Sequence, residues 1–88
     1  MSAVRLLLCW NGDVDLLHRV RDFGEDAWGE LARSGLGEAS MQEIDAATDN
    51  FTVSVKKKRK VGVVTELLVR VLRRHNLEND VRIQKAND

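Results

Sequence analysis

Apolar residues at Val4, Leu6, Leu8 and Trp10 alternate with Arg5, Leu7 and Cys9, a period of two that predicts a first strand. Asn11-Gly12-Asp13 follows with turn chemistry and a helix N-cap. From Val14 the period lengthens: Leu17, Val20, Ala27, Trp28, Leu31 and Ala32 recur at threes and fours with acidic residues between them, and Ser34-Gly35-Leu36-Gly37 ends the pattern. A first helix is expected there, with Gly24 marking a point where it can break. The stretch from Glu38 to Ala47 alternates loosely at Met41, Ile44 and Ala46; before the turn residues Thr48-Asp49-Asn50 it predicts a bulged second strand. Phe51, Val53 and Val55 alternate cleanly with Thr52, Ser54 and Lys56, giving a third strand with one apolar face. Val61, Val64, Leu67, Leu68, Val71 and Leu72 then form a helical stripe. Residues 76–80 read as a connection, and Val81-Arg82-Ile83-Gln84 returns to a period of two.

This order is βαββαβ. Right-handed crossovers would place both helices on one face of a four-stranded antiparallel sheet, an α+β sandwich of the ferredoxin-like kind. The valines, leucines and isoleucine of the alternating pattern then point at the helices, and the other face carries Arg5, Leu7, Cys9, Thr52, Ser54, Lys56, Arg82 and Gln84. That architecture serves enzymes, sensors and binding proteins alike, so function has to be sought in the residues themselves.

Composition sets the scale. The chain has 88 residues, 43% of them apolar, 32% charged and none proline, which fits one small domain spanning residues 1–88 with a real but thin core. Cys9 is the one cysteine and can close no internal disulfide, so a reducing, cytoplasmic setting is expected. The N-terminal apolar run is too short for a membrane span and is interrupted by Arg5, and no small-residue cleavage pattern follows it. The sequon Asn50-Phe51-Thr52 falls in an expected strand and would matter only in a secreted chain.

Charge changes the picture. The formal net charge is +0, yet residues 1–50 carry four arginines against ten carboxylates, whereas residues 51–88 carry ten Lys or Arg against Glu66, Glu78, Asp80 and Asp88. The halves are therefore oppositely charged, and each is able to steer a different partner. Lys56-Lys57-Lys58-Arg59-Lys60 is the densest cationic segment and must stay solvated, because five neighbouring cations repel one another. It stands directly before the second helix, whose unpaired amides favour an anion in the same place. Arg70, Arg73 and Arg74 extend the basic character along that helix.

The functional expectation is a non-enzymatic binding domain. Its partner would be a nucleic-acid backbone or another phosphate-bearing anion, held by Lys56, Lys57, Lys58, Arg59, Lys60, Arg70, Arg73 and Arg74. The plainer account is a solubilising loop, with the acidic first helix neutralising the basic second one beside it. A protein-interaction module or homodimer assembled through the open sheet face or the edge strands is the alternative. Base-specific reading is disfavoured, since the polar face of the third strand lacks the aromatic residues on which RNA bases stack. Residues 56–61 also resemble a short viral-type nuclear-import signal, which a receptor reads as an extended peptide.

Chemistry finds little support. Cys9, His18 and His75 show no triad-like or metal-ligand spacing, so no catalytic residue, cofactor or metal is expected. Asn11, Asp13 and Asp15 suit a helix start better than a cation site. His75 is expected as a helix-end or surface residue, and Trp10 and Trp28 as core or core-edge residues.

Overall fold

A computed structural model describes residues 4–10, 13–40 and 50–85. They form an α+β arrangement of two helices packed on an antiparallel sheet. In chain order the elements are β1 (Val4–Trp10), a 3-10 turn (Val14–Leu16), α1 (Leu17–Ser34), β2 (Gly37–Ser40), β3 (Asn50–Val55), a second 3-10 turn (Lys58–Lys60), α2 (Val61–Arg74) and β4 (Val81–Lys85). β1 lies at the centre of the sheet: Leu6 faces Val53 of β3 and Leu8 faces Ile83 of β4, both pairings antiparallel. The short β2 pairs with the far side of β3, so the order is β2-β3-β1-β4.

The period of two in β1 becomes two unlike faces. Leu6 and Leu8 are buried, as are Val53 and Val55 of β3 and Val81 of β4, in one cluster with Val20, Phe23, Ala27 and Leu31 of α1 and Val64, Leu68, Val71 and Leu72 of α2. Each buried Val, Leu or Phe among them contributes roughly 1.5–3 kcal/mol on leaving water. The odd positions Arg5, Leu7 and Cys9 share the opposite face with Ser54, Thr52, Gln84 and Arg82 by register. Arg5, Arg82 and Gln84 are exposed there, and Leu7, Cys9, Thr52 and Ser54 are half-buried.

The ends of α1 follow from local chemistry. Asp13 accepts the amide of Asp15 on Oδ1 at 3.0 Å and the amide of Leu16 on its carbonyl at 3.0 Å, which makes it a turn residue ahead of the helix. At the other end Gly35 adopts φ 66° and donates to the carbonyl of Leu31, the left-handed cap that glycine takes without strain. Gly37 has a different reason to be glycine: a Cβ there would collide with the carbonyl oxygen of Ser54, so its small size lets β2 approach β3.

Several expectations need correction. α1 runs unbroken through Gly24, which is buried against the core. Trp28 is 61% exposed, so it is no core residue. The helical spacing caught it because it sits one residue beyond Ala27, on the flank of the buried stripe. Leu77, in what reads as a connection, is fully buried, and its amide donates to the carbonyl of Leu72 at 2.8 Å. β2 occupies Gly37–Ser40; the remainder of the expected bulged strand and most of its turn, residues 41–49, lie outside the described residues. No helix among the described residues is long and apolar enough to cross a membrane.

Candidate anion-binding site

The basic segment begins where β3 ends. Lys56 donates its amide to the carbonyl of Leu36 at 3.4 Å, which ties it to the chain leaving α1. Lys57 is extended, and the amide of Lys60 reaches the carbonyl of Lys57 at 2.8 Å to close the 3-10 turn. Lys60 is then the residue at which α2 starts. It supplies no side-chain cap, and the first turn of α2 holds no carboxylate. The segment is thus compact rather than a loose loop, with Lys56, Lys57, Lys58 and Arg59 exposed and Lys60 half-buried. Lys58–Lys60 are not in the extended form that a nuclear-import receptor reads.

Two helix ends meet here with opposite effects. The C-terminal carbonyls of α1 favour nearby cations, whereas the N-terminal amides of α2 disfavour them by about 0.3–1 kcal/mol each. Among the described residues no carboxylate lies within ion-pair distance of any of the five cations.

The arginines of α2 are placed differently. Lys60 and Arg74 are separated by the length of the helix, about 21 Å at 1.5 Å per residue. Arg73 donates from Nε to Glu78 Oε2 at 2.8 Å. Arg74 donates from Nη1 to Asp26 Oδ2 at 2.9 Å and lies 3.8 Å from Glu30 Oε1, which is also held by Arg33 at 2.8 Å. His75 Nε2 stands 3.0 Å from the same Asp26 oxygen, and its ring meets Phe23 edge-on with centroids 6.4 Å apart. Hydrogen bonding from His75, reinforced by Arg74 and opposed by partial burial, holds the Asp26 carboxyl below its ordinary value. Arg70 is exposed on the outer face of α2, beside Thr65, Glu66, Val69 and Arg73.

Of the eight cations expected to act together, the fold gathers five at one end of α2 and ties two to carboxylates at the other. Pairing of Arg74 with Asp26 and Glu30 is visible in the sequence only as an acidic stripe with spacing of four on α1; which helix that stripe meets is a tertiary matter.

The remaining candidate chemistry is dispersed. Cys9 is half-buried on the sheet face and His18 exposed on α1. Among the described residues no three His, Cys, Asp or Glu side chains gather to hold a metal ion. Cys9, Trp10, Asn79, Asp80, Arg82 and Gln84 border a polar depression of about 420 Å³. No protein-family model matches this chain, and neither a curated protein nor a solved structure matches it.

Proposed function

We propose that this chain is a ferredoxin-like βαββαβ domain, with both helices on one face of a four-stranded antiparallel sheet. Its non-enzymatic role is to bind a phosphate-bearing polyanion, a nucleic-acid backbone foremost, at the Lys56–Lys60 end. The observation that carries this reading is the absence, among the described residues, of any carboxylate paired with five consecutive cations, at a place where the start of α2 adds further positive potential. In the folded chain that arrangement is self-repelling, and an anion relieves it. Recognition of this type neutralises phosphates without reading bases, so it is weakly selective and strongly salt-dependent.

The test is the anisotropy of a fluorescent single-stranded RNA at low salt. The unmodified chain binds, and a variant with Lys56, Lys57, Lys58, Arg59 and Lys60 all changed to Gln loses affinity by more than about tenfold. Equal affinity of the two proteins sinks the reading.

A second reading is favoured by Trp28, exposed on α1, and by the sheet face away from the helices, with Leu7 and Cys9 half-exposed at its centre. It is a protein-interaction module or homodimer. Sedimentation at high micromolar concentration separates the two readings: self-association that survives high salt favours the interaction module.

A further inference from the structure

The five cations are not equivalent. Lys56, Lys57 and Lys60 line one cleft together with Gly35 and Leu36, while Lys58 and Arg59 lie outside it. The cleft is about 110 Å³, well under the roughly 300 Å³ at which pockets for small organic ligands begin. A space of this size suits a small oxyanion better than a whole nucleoside.

The backbone shapes this cleft. Lys56 is tied to the end of α1 by the hydrogen bond its amide donates to the Leu36 carbonyl, and the turn closed by the Lys60 amide brings Lys60 back beside Lys57. Gly35 presents open space where a side chain would begin, so the α1 side of the cleft is unobstructed. Among the described residues no carboxylate lines it.

Three lysines border one small concavity and make it electropositive, and its attraction for a ligand rises with the ligand's charge. A phosphomonoester carries about −1.5 to −2 near neutral pH, whereas an internal phosphodiester carries a single charge. We infer that Lys56, Lys57 and Lys60 form a subsite for one phosphate dianion, presented as the terminal phosphomonoester of a nucleic-acid strand, and that Lys58 and Arg59 serve the internal phosphodiesters. This inference rests on the polyanion reading above.

The experiment compares a 5′-phosphorylated short oligothymidylate with its 5′-hydroxyl twin, followed by amide shifts and by anisotropy on the full chain. The phosphorylated strand binds about fivefold more tightly, and shifts concentrate at Gly35, Leu36, Lys56, Lys57 and Lys60. The variant carrying Lys56→Gln, Lys57→Gln and Lys60→Gln loses that preference. Lys58→Gln with Arg59→Gln weakens both strands alike and keeps it. Thermal unfolding of both variants monitors the fold, and all but Lys60 of the substituted residues are exposed. Equal binding of the two strands by the unmodified chain overturns the subsite and leaves the polyanion reading standing. No binding of either strand at low salt overturns both. Shifts produced by inorganic phosphate alone, with neither strand bound, overturn the strand-end assignment and point to free phosphate.

Discussion

The two ends of α2 carry the same kind of charge and treat it in opposite ways. At its C-terminal end Arg73, Arg74 and His75 are engaged by Glu78, Asp26 and, at longer range, Glu30, so cations that read as a binding surface are taken up in joining α2 to α1 and to the chain that follows it. At its N-terminal end Lys56–Lys60 meet no carboxylate among the described residues. A count of charges cannot separate these cases. What separates them is which acidic residue lies within about 4 Å, and that depends on how the acidic α1 crosses the basic α2.

The strongest way to break the closed end is through the packing beneath it. Phe23 is 1% exposed and its ring lies against His75. Phe23→Ala should cost about 3–5 kcal/mol of unfolding free energy in a denaturant titration. A loss below about 1 kcal/mol would mean that the α1–α2 contact is not part of the cooperative core.

A smaller effect is expected from the ion pair itself. The Asp26 carboxyl is depressed in the folded chain, so its contribution to stability is complete above its unfolded value of about 3.9 and is lost as pH falls through the folded value. Asp26→Asn should cost about 1 kcal/mol near neutral pH. The difference between the variant and the parent should shrink as pH drops below about 4, because both then lack the charge. A difference that stays constant from pH 7 to about pH 2 would show that Asp26 acts by packing alone.

The smallest effect sharpens the contrast. If only the open end meets ligand, changing Arg70, Arg73 and Arg74 to Gln leaves affinity for single-stranded RNA within about twofold. The slope of log K against log salt stays no steeper than about −3.5, the limit for five neutralised phosphates on a single strand, rather than about −5.6 for eight. A steeper slope that relaxes in the arginine variant restores the eight-cation surface expected from the sequence.

How much was legible in the sequence follows from the range of each interaction. β1 spans the residues its alternation predicts, and the α2 stripe from Val64 to Leu72 is buried, because both patterns repeat over several periods and report directly which side meets the core. Trp28 was misread because the helical stripe of α1 is wide and its flank cannot be told from its centre by spacing. Leu77 escaped because a lone leucine in a connection has no period; it is buried by the way the chain turns under the end of α2. The basic segment was visible as a run of letters, but its 3-10 turn was not, since nothing in five cations favours that geometry without Leu36 and the helix that follows.

Local pattern thus determined β1, β3, β4 and the two helices, the split of charge between the halves of the chain, and the exposure of Lys56, Lys57, Lys58 and Arg59. These depend on neighbours in sequence and on desolvation, which a run of residues carries with it. Tertiary structure alone decided that Arg74 meets Asp26, that Trp28 is left outside, and that Lys56, Lys57 and Lys60 border one cleft with Gly35 and Leu36. Those outcomes depend on which helix face crosses which, a relation between residues as many as 48 positions apart, and Coulomb attraction acts on distance in space rather than along the chain.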